Sequence, residues 1–233
     1  MRVLAVGAHP DDLELLCAGT LARYAARGDH VTMAVATNGE FGSSTLSTTE
    51  AAALREKEAR AAAAHIGADL IWMGYPDAFL FSDQKSRRDF IDLVRRTMPD
   101  VILAHDPGDY HADHRAVAHI LMDVRMLAQV ASIETAHPPS HGVPELFFME
   151  TIAGLDFQPE HYVDTSESFV TKQKMLAEHK SQATWLREQY GVSYMELIEY
   201  VGRFRGLQCG CPYAEGFRHW RVWPGRPTAG LLP

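Results

Sequence analysis

The stretch VLAVGAHPDD, Val3 to Asp12, decides how the chain is read. Its first half, Val3–Gly7, is a short apolar run of strand type. Its second half is a loop carrying His9, Asp11 and Asp12 just before a helical pattern. In open α/β sheets, ligands bind in the crevice beyond the carboxyl ends of the strands. A dinucleotide site would carry G-x-G-x-x-G here, so that the backbone could approach a pyrophosphate. This loop has Gly7 followed by Ala8, His9 and Pro10, so NAD or FAD is not expected. An imidazole beside two carboxylates is instead the ligand chemistry of a first-row metal, zinc above all. A simpler reading stands beside it: Asp11 and Asp12 could cap the helix and favour its positive end.

Outward from this loop, short apolar runs alternate with helical patterns, which predicts an α/β fold with a mostly parallel sheet flanked by helices. Strands are expected at Val3–Gly7, Val31–Thr37, Leu70–Gly74, Asp100–His105 and Leu146–Ile152. Helices are expected over about Leu13–Arg27, Gln84–Thr97, Ala112–Val130, Ser168–Ser181 and Met195–Gly206. A further one opens at the capping-box spelling Ser47–Glu50 and runs to about Ile66. Glu134–Glu145 reads as a proline-rich loop, and the Gly- and Pro-rich tail from about residue 207 as irregular. No repeat or linker interrupts the pattern, so one domain over residues 1–233 is expected.

A catalytic zinc takes three protein ligands and leaves a fourth position for water. The remaining ligand should come from a neighbouring strand end. The fourth strand ends in HDPGDYHADH, residues 105–114. If the strand order is the common 3-2-1-4, this loop meets the His9 loop at the topological switch point. His111 and His114 are spaced to share one face of a starting helix.

Composition narrows the partners. The 233 residues are 46% hydrophobic and 22% charged, with a formal net charge of −8 and no basic block. Binding to nucleic acid or to an anionic membrane surface is therefore not expected, since both rest on clustered Lys and Arg. No run approaches the roughly 18 apolar residues of a membrane span, and the N-terminus lacks a signal-peptide pattern. Three cysteines, Cys17, Cys209 and Cys211, argue against a disulfide scaffold. A cytoplasmic protein is the expectation.

AHPDD at Ala8–Asp12, together with the spacing Asp109, His111, Asp113, His114, resembles the LmbE-like, or PIG-L-type, zinc-dependent N-deacetylases. TNGEFG (Thr37–Gly42), the Arg55–Ala68 segment, MGYPD (Met73–Asp77) and KSQ (Lys180–Gln182) add weaker agreement. The resemblance spans roughly residues 2–182 and implies a Rossmann-like fold. It implies that His9, Asp12 and His114 bind the metal and that Asp11 is the general base. His111 would stabilise the oxyanion as a charged imidazole, with Asp113 tuning it. Zn2+ is the default ion, although Fe2+ could fill the same set. The implied substrates are small amide conjugates, commonly N-acetylglucosamine units. Rival readings are cleavage of a larger acyl or thiol-conjugate amide, a phosphoesterase using two metals, and a non-catalytic binding module.

Other residues are weighed singly. Arg55, Asn38 and Glu40 are candidates for substrate contact, against a solvated helix residue and an Asn-Gly turn. Asp77 could orient a ligand histidine or simply make a turn. Asp109 could cap a helix or support the metal. His137 and His141 read as loop residues, and His179 as a candidate for reaching the crevice. Cys209-x-Cys211 reads as structural, and Trp185, Trp220 and Trp223 as core or interface aromatics. The apolar tail VWPGRPTAGLLP could pack on a second copy, giving a homo-oligomer.

Overall fold

β1 (Arg2–Gly7) lies between β2 (His30–Thr37) and β4 (Val101–Ala104), parallel to both. The computed structural model describes residues 1–233, and its single seven-stranded sheet has the order β3-β2-β1-β4-β5-β7-β6. β3 (Asp69–Tyr75) and β5 (Glu145–Met149) extend the parallel part on either side. The 3-2-1-4 order expected from the sequence is therefore present. It brings the carboxyl ends of β1 and β4 side by side.

The alternation of β1 explains the two packed faces. Val3 and Ala5 point to one face, where they meet α1 (Asp12–Leu16), α2 (Ala18–Ala26), α6 (Phe169–Leu176) and α8 (Tyr194–Cys209). Leu4 and Val6 point to the other, against α4 (Gln84–Thr97) and α5 (Ala112–Val124). A strand buried on both faces reads as a continuous apolar run, which is why VLAV carries no polar alternation. α3 (Thr48–Ala64) begins at the expected capping box: Ser47 accepts from Glu50 N, and Glu50 accepts from Ser47 N at 3.0 Å. No helix is long and apolar enough to cross a membrane.

Several expectations need correction. The helix foreseen over 13–27 breaks at Cys17 into α1 and α2. The cause is Glu215, which caps α2 by accepting from Gly19 N at 2.9 Å and Thr20 N at 2.7 Å. α5 stops at Val124 because Arg125 turns inward and donates to Pro144 O and Pro224 O. α7 (Lys180–Tyr190) was not foreseen. The tail expected to be irregular instead contains β7 (Ala214–His219), which pairs antiparallel with β5 and with β6 (His161–Asp164).

Candidate metal centre

The loop after β1 is pinned before it offers any ligand. Ala8 N donates to His105 Nε2 at 3.0 Å. Ala8 O accepts from Thr37 N and Thr37 Oγ1. His9 N donates to Asp12 Oδ2 at 2.6 Å. Asp11 takes a left-handed backbone conformation, with φ of 112°. It occupies the N-cap position of α1, yet its side chain makes no capping bond. The carboxylate is turned inward instead, so a helix cap does not account for it.

Three donors from two strand ends then converge. His9 Nδ1 and His114 Nε2 are 3.2 Å apart. Asp12 stands 3.4 Å from each, through Oδ2 to His9 and Oδ1 to His114. Tetrahedral zinc with bonds of about 2.0–2.1 Å needs neighbouring donors about 3.3–3.4 Å apart. The donor types fit a zinc-sized ion; the two 3.4 Å separations run to different oxygens of Asp12, and ring nitrogens of His9, His111 and His114 also lie within 4.8 Å of one another.

The outer nitrogens of both imidazoles face carboxylates. His9 Nε2 lies 3.1 Å from Asp113 Oδ2 and 3.3 Å from Asp77 Oδ1. His114 Nδ1 lies 3.1 Å from Asp109 Oδ1, off the line of a hydrogen bond. Carboxylates placed behind histidine ligands fix ring orientation and raise basicity. His105 stacks on His114 with centroids 3.8 Å apart and contacts Asp12 Oδ2 at 3.0 Å.

The electrostatics favour positive charge where the donors meet. Burial pushes the Asp12 carboxyl up, but His114 and His105 outweigh it and hold Asp12 well below the usual carboxylate range. Burial pushes His114 down, but Asp12 and Asp109 bring it up to about 9. His9 is likewise raised well above its ordinary value, against burial, by Asp113, Asp12 and Asp77. A buried site that draws protons onto two imidazoles is one that would welcome a divalent cation.

Asp11 lies beside this cluster and is buried. The Tyr194 hydroxyl donates to its Oδ2, and Arg55 Nη2 stands 3.5 Å from its Oδ1. Burial raises the Asp11 carboxyl above its ordinary value, with Arg55 opposing and Asp12 adding to the rise. His111 sits at the N-cap of α5, its ring 4.6 Å from that of His9. Its Nδ1 accepts from Asp113 N at 3.3 Å, so in the neutral ring Nε2 carries the hydrogen.

Two expected relationships are corrected here. Asp113 does not turn its carboxylate to His111: it accepts from Ala78 N, Leu80 N and His9 Nε2. His111 is lowered, first by burial and then by His9 and His114, with Asp113 raising it by less. Arg55 is not open to a substrate. It is buried, donating from Nη1 to Gly39 O at 2.9 Å and from Nη2 to Pro10 O at 2.7 Å.

The other candidates are placed as follows. Asn38 Oδ1 accepts from Glu40 N at 3.2 Å, forming a local turn beyond β2 in which both residues are half-buried. His137 pairs with Asp92 on α4. His179 is fully buried, 3.4 Å from Glu14 and without a hydrogen bond at either ring nitrogen. The Cys209 and Cys211 sulfurs are 3.5 Å apart at the end of α8. Sequence reasoning missed His105 and Tyr194. His105 opens the quoted HDPGDYHADH run and could have been noticed there; nothing local marks Tyr194.

The family model described as PIG-L, GlcNAc-PI de-N-acetylase, matches residues 4–125. Diacetylchitobiose deacetylase of Thermococcus kodakarensis is 24% identical over 235 residues, covering 93% of this chain and 82% of the relative. The uncharacterized deacetylase YaiS of Escherichia coli is 30% identical over 191 residues, covering 77% and 90%. Among solved structures, N,N'-diacetylchitobiose deacetylase from Pyrococcus horikoshii superposes with a TM-score of 0.83 at 25% identity, covering 95% and 86%. The 4-carboxy-2-hydroxymuconate hydratase GalB from a pseudomonad shares the fold, with a TM-score of 0.81 at 21% identity, covering 97% and 99%.

Proposed function

The chain belongs to the PIG-L family of deacetylases, and on that premise we propose that it removes the acetyl group from an N-acetylglucosamine-type conjugate. The observation that carries the reading is the convergence of His9, Asp12 and His114 with Asp11 held beside them. In this reading those three residues hold zinc, with ferrous iron as the alternative ion. Zinc bound there would polarise the amide carbonyl and bring the attacking water towards deprotonation near neutral pH.

The chain's own groups supply the rest. Asp11, ionised, accepts the proton of the attacking water and returns it to the departing nitrogen. Its raised pKa suits that two-way traffic. His111 presents Nε2–H to the negative oxygen that develops on the former carbonyl, as a neutral donor. Asp113 and Asp77 hold the ring of His9, so Asp113 acts through the metal ligand rather than through His111. Asp109 and Asp113 face ligand histidines, which leaves neither for the second ion of a two-metal phosphoesterase.

Metal analysis and acetate release test the proposal together. Protein loaded with one zinc equivalent per chain should release acetate from N-acetylglucosamine or diacetylchitobiose. A fully loaded protein that releases none from any N-acetylated amino sugar would sink it.

A further inference from the structure

The sulfurs of Cys209 and Cys211 are 3.5 Å apart, in van der Waals contact. Cys209 is exposed and Cys211 half-buried, while the third cysteine, Cys17, lies in the core. A free cysteine that serves packing is usually buried among apolar side chains, as Cys17 is. The other two stand together at the surface.

Two glycines bring these sulfurs into contact. Gly210, between them, ends α8 in the left-handed region with a φ of 85°, where a side chain would strain the turn. Gly206, one turn earlier, lets the returning chain lie directly on the helix. A Cβ there would stand 2.4 Å from Cys211 O and 2.9 Å from the carbonyl carbon of Pro212. Gly206 O accepts from Gly210 N at 2.8 Å and from Cys211 N at 3.0 Å. Beyond the pair, Tyr213 O accepts from Thr165 N and Tyr213 N donates to Ser166 Oγ, which ties the chain to the loop after β6. The backbone is thus fixed on both sides of the two thiols.

The thiols are not equivalent. Burial pushes the Cys211 thiol up to about 12, with Cys209 and Asp164 adding to the rise. Cys211 Sγ also donates to Tyr213 O at 3.3 Å. Oxidation follows thiolate character and exposure. Cys209 is therefore the sulfur that an oxidant in solution meets first.

We propose that Cys209 and Cys211 are a reversible redox pair, closed to an intramolecular disulfide by hydrogen peroxide and reopened by a dithiol. The Cys209 sulfur takes one oxygen from the peroxide, giving a sulfenic acid and one water. The Cys211 sulfur then displaces that oxygen as the S–S bond forms, and the oxygen leaves with the Cys211 proton as a second water. Two electrons pass from the thiol pair to the peroxide. A dithiol attacks one sulfur of the bridge, closes on itself and returns both protons. Only one residue separates the cysteines, so the bridge closes a very short loop and removes little chain entropy from the unfolded state. Exposed bridges are the labile ones, which distinguishes this pair from a structural staple. The pair also lies at the far end of α8 from Tyr194, roughly 22 Å along the helix at 1.5 Å per residue, so it is separate from the metal centre.

The test treats the full chain with hydrogen peroxide, unfolds it, alkylates it with iodoacetamide and maps the peptides by mass spectrometry. Reduced protein should take up three carbamidomethyl groups, one at each cysteine. Peroxide-treated protein should lose two of them, keeping the one at Cys17, and dithiothreitol should restore all three. With dimedone present during oxidation, Cys211→Ser should carry a sulfenic-acid adduct at Cys209 that wild type lacks. Neither side chain belongs to the core, so the substitution leaves the fold intact. Three alkylated cysteines in peroxide-treated wild type would overturn the pair. So would Cys209 reaching sulfinic acid as far in wild type as in Cys211→Ser, or a bridge that joins two chains on a non-reducing gel.

Discussion

Tyr194 and Asp11 are 183 residues apart in the chain, and the Tyr194 hydroxyl donates to the Asp11 carboxylate beside the histidine cluster. That bond reaches from the first residue of α8 to the loop after β1. It favours the ionised form of Asp11, which burial disfavours. A general base works only when ionised, so kcat should fall as pH drops through the raised Asp11 value. Tyr194→Phe should move that acid limb to higher pH. It should also lower kcat by about 10- to 100-fold, in keeping with the roughly 1.5–3 kcal/mol of a hydrogen bond to a charged group. KM should change little. A kcat–pH profile of the two proteins checks both; an unmoved limb would separate Tyr194 from the base.

Asp113 faces His9, so its loss should be felt first in metal affinity. Asp113→Asn keeps the shape but weakens the acceptor behind the ring. Zinc affinity measured by chelator competition should fall about 10- to 100-fold, the usual effect of removing a partner behind a histidine ligand. His9→Ala, Asp12→Ala and His114→Ala should abolish stoichiometric binding. Asp11→Asn should bind zinc normally and lose activity, because Asp11 holds none of the three donor positions.

His111 is expected to act uncharged. Burial, then His9 and His114, hold its pKa below the ordinary histidine value, which favours the neutral ring. Between pH 7 and 8 its charge does not change, and its contribution to the rate should be flat there. A charged imidazole donor would instead lose activity across this window. His111→Gln, which retains an N–H, should keep more activity than His111→Ala, and the alkaline limb should coincide with that of wild type. A limb that shifts with the substitution would restore the charged form.

The meeting of the two candidate loops was legible because its information is local. His9, Asp11 and Asp12 adjoin one strand end and His111 and His114 the next, and a common strand order brings the two together. The direction of a side chain was not legible. Asp113 lies two residues from His111, and what turns it to His9 is the pair of amides at Ala78 and Leu80, which come from another loop. Arg55 read as a candidate for substrate contact because its carbonyl partners, Gly39 and Pro10, are distant in sequence. β7 was missed because AEGFRH offers little alternation; pairing with β5 and β6 makes it a strand. Tyr194 carries no motif, and only the packing of α8 brings it to Asp11.

Arg55 now predicts a different phenotype from a substrate contact. Its guanidinium satisfies two buried carbonyls on the loops after β1 and β2. Arg55→Met would leave Pro10 O without a donor, leave Gly39 O with Gly42 N alone, and expose Asp11 to less positive charge. Stability by urea denaturation should drop by about 2–5 kcal/mol. kcat should fall further than KM rises. A variant of unchanged stability with only a raised KM would return Arg55 to the substrate.

Glu215 and Lys172 make a buried pair at 2.6 Å, and Glu215 also caps α2 through Gly19 N and Thr20 N. This carboxylate lies in β7, beyond the matched family region, yet it fixes the break between α1, which carries Asp12, and α2. Glu215→Ala would leave the Lys172 ammonium buried without a partner and two amides uncapped. A loss of about 3–5 kcal/mol is expected from the stranded charge. Lys172→Met alone should cost less, because Glu215 keeps its two amide donors. The double variant should be less destabilised than the sum of the two singles, since each removes the other's unpaired charge. Urea denaturation of all four proteins gives the coupling directly. Additive losses would mean that the pair is held apart in solution and that the cap alone fixes the break at Cys17.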